Sequence, residues 1–150
     1  MTIKRSTIVA LQETLASTTS LTGYREVPGQ PGGRGICTLI DKKVTYLSYD
    51  LKLASCKVEH VMVEILLNPP PHNQRSNSVF VLNAYSNPKH WRQQFKTLLE
   101  KALELAGPRP FVIVGDFSAP HGLWGYLYES SKGRDLWQDA NELDLTLITN

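Results

Sequence analysis

The almost unbroken apolar run HVMVEILL, residues 60–67, constrains the fold more than any other part of the sequence. Consecutive residues of a strand point to opposite faces, so a strand that is apolar at every position needs cover on both sides. A second run, VFVLNAYS, follows after the segment NPPPHNQRSNS, whose prolines cannot continue a helix. The chain is therefore expected to fold in layers, with a sheet buried between other elements.

Further strands are predicted on both sides of these two runs. The β-branched run Thr7 to Val9 predicts a short strand, and ICTLI and VTYLSYDL predict two strands joined as a hairpin through the turn DKK. The run FVIV and the stretch Leu145 to Thr149 predict two more strands near the carboxyl end. The segment TGYREVPGQPGGRG is rich in glycine and proline and predicts a loop.

Two helices are predicted in the second half of the chain. Asn87 and Pro88 suit the cap and first position of a helix that Gly107 ends, and its apolar residues recur at helical spacing: Trp91, Phe95, Leu98, Leu99, Ala102 and Ala106. A shorter helix is predicted at Leu136 to Leu143. Strands in hairpins and strands separated by helices together indicate an α/β protein with mixed sheets covered by helices.

Length and composition leave the function open. A chain of 150 residues is expected to form one domain, and no apolar run is long enough to cross a bilayer or resembles a secretory signal, so an intracellular protein is expected. Cys37 and Cys56 have neither the number nor the spacing of a disulfide framework or zinc site and are expected to be core thiols. A net charge of +2 does not identify a nucleic-acid binder.

Polar residues follow three of the predicted strands. Glu13 follows TIVAL, Tyr85 follows VFVLNA and Asp116 follows FVIVG. Ligands of α/β sheets bind outside strand ends, where side chains of several strands can converge without disturbing the core. Taken singly, Glu13 is better read as a surface acid at a helix start and Tyr85 as a half-buried strand aromatic.

The stretch VGDFSAPHGLWGY allows two interpretations that the residues alone do not separate. Asp116 could face a metal or a phosphate, or GDFSAP could be a polar turn between Gly115 and Pro120. His121 is expected to be solvated, and Trp124 and Tyr126 are expected to pack beneath the loop. The glycines of GGRGI are better explained by a flexible turn than by a phosphate cradle, because no helix follows them.

Four segments, LQET, GGRGICTLI, VLNAYSNP and FVIVGDFSAPHGLWGY, together resemble the endonuclease/exonuclease/phosphatase superfamily. Within it, they resemble specifically the apurinic-endonuclease-like endonuclease domain of non-LTR (LINE-type) retrotransposons. This resemblance implies a four-layered α/β sandwich of the DNase I-like type that hydrolyses a DNA phosphodiester with Mg²⁺ or Mn²⁺. It implies that Glu13 binds the metal, that Tyr85 contacts the scissile phosphate and that Asp116 orients and deprotonates the attacking water.

The sequence departs from the family at three points. Ser118 stands where the family has an asparagine that holds the phosphate and the aspartate, and the family's later Ser-Asp-His motif does not occur within residues 1–150. The family also has a strand bearing an asparagine before the one that precedes Glu13. Residues 1–150 are therefore expected to be a partial domain, truncated at both ends, and the 150-residue chain alone is expected not to nick DNA.

The resemblance also implies partners and location. The expected partner is DNA, with no membrane, and a reverse transcriptase domain is expected in a longer parent polyprotein, acting in the nucleus. Two alternatives remain: a phosphatase of the same superfamily, which the GDFSAPHGLWGY stretch disfavours, and a catalytically inactive nucleic-acid-binding remnant. The remnant would need only a basic surface, for which the candidates are Arg5, Lys42, Lys43, Arg92 and Lys96.

Overall fold

The computed structural model describes residues 6–15, 20–30, 35–67, 77–90 and 95–148. These residues form seven strands, two α-helices and one 3₁₀ turn at Gly122–Trp124. The strands are β1 (Ile8–Gln12), β2 (Tyr24–Pro28), β3 (Ile36–Asp41), β4 (Thr45–Tyr49), β5 (Glu59–Leu66), β6 (Ser78–Tyr85) and β7 (Phe111–Asp116). The helices are α1 (Phe95–Ala106) and α2 (Ser131–Glu142).

The strands form two sheets. The first, here called sheet A, has the antiparallel order β1-β3-β2, and the second, sheet B, has the order β4-β5-β6-β7. Within sheet B, β4, β5 and β6 are antiparallel neighbours, whereas β6 and β7 run parallel because α1 crosses between them. The predicted mixed sheet with covering helices is therefore confirmed.

Two hydrophobic cores hold the layers together. One lies between the sheets and joins Val27, Ile36 and Ile40 of sheet A to apolar residues of β5 and β6. The other lies on the opposite face of sheet B and contains the buried residues of α1 together with Leu136 of α2. The described residues thus form three layers, helices on sheet on sheet, and the α/β sandwich is confirmed. The fourth layer of the prediction is not formed by the residues that the structure describes.

Strand β5 is buried on both faces, as its apolar sequence predicts, and it carries a buried carboxylate. Glu64 is 3% exposed, and its oxygens accept hydrogen bonds from Tyr49 Oη at 2.6 Å, Ser78 Oγ at 2.7 Å and Arg109 Nη1 at 2.7 Å. Burial pushes the pKa of Glu64 upward, but these hydrogen bonds and the charge of Arg109 outweigh it and hold the pKa below its ordinary value. Glu64 is therefore ionised and fully partnered inside the sandwich.

Two predictions in the first third of the chain are wrong. The segment predicted as a loop contains strand β2, which tolerates Pro28 because it lies at the edge of sheet A and pairs only with β3. Strands β3 and β4 exist but do not form a hairpin. The turn between them, in which Val44 N donates to Asp41 O at 2.9 Å, passes the chain from sheet A to sheet B.

The helix boundaries also differ from the prediction. Asn87 caps a local turn, accepting from Lys89 N at 2.9 Å, and α1 is described from Phe95, with residues 91–94 outside the described part. Gly107 ends the helix as predicted, with φ of 58° and its N–H on Leu103 O. Helix α2 starts at Ser131, five residues earlier than predicted, because Ser130 Oγ accepts the N–H of Gly133.

Three smaller predictions concern the ends and the thiols. Residues 145–148 form no strand, and residues 68–76 and 149–150 lie outside the described part. Cys37 and Cys56 are both free thiols, and burial raises the pKa of Cys37 to about 11, as expected of an inert core thiol. No helix among the described residues has the length and apolar character that a membrane crossing requires.

Candidate active site

Strand β1 of sheet A meets β6 of sheet B through a buried amide. Asn83 is 0% exposed; its Oδ1 accepts from Gln12 Nε2 at 2.6 Å. Its Nδ2 lies 3.1 Å from Cys37 O, 3.2 Å from Thr38 Oγ1 and 3.4 Å from Leu11 O. One side chain thus satisfies polar groups of two strands of sheet A. Since Gln12 precedes Glu13 and Asn83 lies two residues before Tyr85, this contact fixes the relative position of the two candidate site residues.

We expect Asn83→Ala to lower the free energy of unfolding by about 1–3 kcal/mol, because Gln12 and Thr38 then lose a buried partner. Urea denaturation followed by circular dichroism measures the change. Asn141→Ala, on the exposed face of α2, is the matched control and should alter stability by less than about 0.5 kcal/mol. Equal stabilities for the two variants would contradict the role assigned to the buried amide.

Glu13 and Tyr85 are brought together by this docking of the sheets. Tyr85 Oη donates to Glu13 Oε1 at 2.5 Å. Tyr85 is 1% exposed, so it is fully buried rather than half-buried, while Glu13 stays exposed directly after β1. The phenol therefore orients a carboxylate that faces solvent, and Glu13 does not begin a helix in the described part of the chain.

Asp116 lies beside Tyr85 at the carboxyl end of the parallel strand pair. Tyr85 and Asp116 are partners in the β6–β7 register, and Ser86 N donates to Asp116 O at 2.9 Å. Gly115 makes this close approach possible: its φ is +153°, and a Cβ there would lie only 1.9 Å from Ala84 O. The glycine before the aspartate is thus required by backbone packing.

Ser118 fixes the carboxylate of Asp116. Its N–H donates to Asp116 Oδ1 at 2.8 Å, and its hydroxyl donates to the same oxygen at 3.3 Å. Ser118 has a φ of +45°, a left-handed conformation that asparagine adopts more readily than serine. The backbone conformation at position 118 therefore suits the asparagine found there in the family that the sequence resembles. Ser118 still makes hydrogen bonds to Asp116.

The loop after Ser118 differs from its prediction. His121 is buried rather than solvated: it is 6% exposed, its Nδ1 accepts from Leu123 N at 3.2 Å, and its ring stacks on Trp137 at 5.6 Å. Trp124 packs under the loop as expected and donates from Nε1 to Ala119 O. Tyr126 does not, because 49% of it is exposed. His121 thus supports the loop.

Lys132 is a charged residue near the candidate site that the sequence analysis missed. It lies in the first turn of α2, is 4% exposed, and donates from Nζ to Asn87 O at 3.2 Å. Burial lowers the pKa of Lys132 to about 8, although the charge of Asp116 works in the opposite direction. Its burial depends on where α2 begins. Because the helix starts at Ser131 rather than Leu136, Lys132 lies on its buried face.

The side-chain atoms at this site that could coordinate a metal are all oxygens, which suit a hard cation. Glu13 and Asp116 supply carboxylates, and Mg²⁺ is commonly held by one or two carboxylates with water and substrate phosphate completing its shell. Among the described residues, no group of three or more His, Cys, Asp or Glu is placed to hold a metal by itself. An exposed carboxylate such as that of Glu13 fits a cation that takes its other ligands from water and substrate.

Comparison with known proteins gives a family match and a structural match. Residues 79–150 match the sequence model of the endonuclease-reverse transcriptase family. The structure is similar to the endonuclease domain of TRAS1, a telomere-specific non-LTR retrotransposon, with a TM-score of 0.69 and 16% sequence identity over 87% of this chain. This chain spans 57% of the length of that one. No curated protein matches the sequence. The resemblance seen in the sequence is thereby confirmed for the carboxyl-terminal half and for the DNase I-like fold.

Proposed function

We propose that this chain, which carries endonuclease-reverse transcriptase family sequence on a DNase I-like fold, is part of a metal-dependent DNA endonuclease domain of a non-LTR retrotransposon. The proposed reaction is hydrolysis of one phosphodiester of target DNA. The observation that carries the proposal is the meeting of Glu13, Tyr85 and Asp116 where the ends of β1, β6 and β7 come together.

Each of the three residues has a proposed task that its surroundings support. Asp116 accepts the proton of the attacking water, and Ser118 holds its carboxylate in one orientation through two hydrogen bonds. Tyr85 is buried and donates its single O–H to Glu13, so its proposed task in this arrangement is to hold that carboxylate, and contact with a phosphate oxygen requires the phenol to exchange this partner. Glu13 is exposed and negatively charged, so it is the proposed ligand of the cation.

The proposed cation is Mg²⁺ or Mn²⁺, and Glu13 would hold it, while Asp116 acts on the attacking water. When bound, such an ion supplies a positive charge to the phosphate oxygens and lowers the pKa of a coordinated water. The oxygen-only donor set supports this choice, because softer metals prefer sulfur or imidazole ligands. The proposed site of action is the nucleus, where target DNA lies, in a polypeptide that also carries reverse transcriptase.

Supercoiled-plasmid nicking by the natural polypeptide that carries these residues tests the proposal. We expect nicked circles with Mg²⁺ or Mn²⁺ and none with a chelator in excess. Glu13→Gln should raise the metal concentration needed for half-maximal nicking by at least about tenfold, the loss typical of even an outer-shell partner. Glu104→Gln, exposed on α1, is the matched control and should leave it unchanged. Nicking that persists in the chelator would contradict the proposal.

A binding-only protein is the second candidate, and Ser118 is the observation that favours it. The serine hydroxyl already bonds to Asp116, so it offers no amide donor to the phosphate. Of the five basic candidates for a binding surface, Lys42 and Lys43 are exposed beside each other, Lys96 pairs with Glu142 at 2.8 Å, and Arg5 and Arg92 lie outside the described residues. DNA binding without nicking in any metal would decide for this candidate.

A further inference from the structure

A cleft opens beside Ser118, on the side of the candidate site where α2 begins. Its volume is about 360 Å³, and its walls include Ser118, Tyr128 and Lys132. Tyr128 is 64% exposed at the rim, whereas Lys132 is 4% exposed. The cleft therefore joins a proposed active-site residue to a buried positive charge.

Lys132 lacks an anionic partner among the described residues. Its ammonium has three N–H donors, and the described contact to Asn87 O uses one of them. No carboxylate in the described part of the chain lies within ion-pair distance of Lys132. Asp116 is farther away, but its charge still raises the pKa of Lys132. Burying an ammonium without an anion is unfavourable, so this position is suited to an anionic ligand that arrives from solvent.

Lys132 supplies the full positive charge of the cleft, while the end of the helix offers only backbone N–H groups, one of which is already used. Ser130 Oγ already accepts the N–H of Gly133, which closes the first turn of α2. The Lys132 ammonium also lies over the Phe95 ring, with Nζ 5.7 Å from its centroid. The ammonium is thus held in place before any ligand binds.

We propose that Lys132 binds a phosphodiester of the nucleic-acid strand in this cleft, next to the phosphate at the site of Glu13 and Asp116. This inference rests on the proposed function, because it takes the ligand of the neighbouring site to be DNA. The ammonium donates its remaining N–H groups to non-bridging oxygens, as lysine commonly does with phosphate. The exposed Tyr128 at the rim offers an aromatic face to the sugar or base that follows.

The salt dependence of DNA binding tests the proposal. Each phosphate contact on duplex DNA contributes about −0.9 to the slope of log K against log salt concentration. We expect Lys132→Met, which keeps the length of the stem, to reduce the magnitude of that slope by about 0.9 in fluorescence anisotropy with a labelled duplex. Lys101→Met, which removes the same charge from the exposed face of α1, is the matched control and should keep the wild-type slope. Equal slopes for wild type and Lys132→Met would overturn the proposal.

A measurement on the unmodified protein keeps the test independent of any folding defect. We expect the dinucleotide dTpdT to shift the backbone amide NMR signals of Ser118, Ser131 and Lys132. Shifts there with inorganic phosphate but not with dTpdT, or with neither, would overturn the proposal. Both measurements report binding and not nicking. A polypeptide that binds as expected but does not nick would therefore support the Lys132 site and contradict only the proposed reaction. A polypeptide that nicks normally, but whose salt slope is unchanged in Lys132→Met, would contradict only the Lys132 site.

Discussion

Asp116→Asn is expected to lower the nicking rate of the natural polypeptide that carries these residues by about 10²–10⁴-fold, the usual contribution of a positioned general base. Asparagine keeps the size of the side chain and an oxygen that accepts the N–H of Ser118. It removes the negative charge and the capacity to take a proton from water. The variant therefore changes the chemistry of the site while preserving its geometry.

Single-turnover nicking of supercoiled plasmid at saturating metal separates this effect from binding. Asp135→Asn, on an exposed position of α2, removes the same charge and should retain the wild-type rate. Thermal melts of both variants should match the wild type. A rate within about threefold of wild type for Asp116→Asn would remove Asp116 from the proposed reaction.

Arg109→Met is expected to lower the free energy of unfolding by about 2–4 kcal/mol, somewhat below the loss for breaking a fully buried ion pair. The discount reflects the 37% exposure of the Arg109 side chain, whereas the Glu64 side chain is 4% exposed. The arginine also lies 4.5 Å from the Phe80 ring and donates to Ala106 O and Leu105 O. Methionine can replace the apolar contact but not the charge.

Urea denaturation at two pH values checks the cause of this loss. The folded pKa of Glu64 is lowered, so its ionised form stabilises the protein above the unfolded pKa of about 4.3, and that contribution is lost as the pH falls through the folded pKa. The difference between Arg109→Met and wild type should therefore be smaller near pH 4 than at pH 7. Lys96→Met, which breaks the exposed pair with Glu142, should cost far less, because solvent screens that pair. An equal cost for both variants would contradict the buried-pair explanation.

Continuous apolar runs were sufficient to predict three strands of sheet B, including β7, which is only partly buried. Strands β5, β6 and β7 were predicted because their residues are apolar almost throughout. Strand β2 was missed because an edge strand tolerates Pro28 and needs only Val27 buried. The prediction of a β3–β4 hairpin was wrong because strands that are neighbours in the sequence can enter different sheets. A short turn is compatible with a hairpin and with a passage from one sheet to the other.

Some residues of the candidate site could be identified from local sequence patterns, and others could be identified only from the folded structure. Glu13, Tyr85 and Asp116 were singled out because each lies at the carboxyl end of a strand or directly after it, which is a local pattern. Asn83 and Lys132 were missed because their importance comes from burial, and polar residues in a strand or a helix carry no local mark of it. The position of Glu64 could be interpreted from the sequence, because a charged residue within the apolar run HVMVEILL needs partners inside the fold.

The two sheets come from separate parts of the chain, with sheet A complete at Asp41 and sheet B beginning at Thr45. Each sheet can therefore fold or open as a cooperative unit, and local opening has a lower free energy than global unfolding. The Glu13–Tyr85 hydrogen bond joins one unit to the other. Separation of the sheets would expose the core that lies between them and part Glu13 from Tyr85. The proposed activity would thus follow the equilibrium between docked and undocked sheets.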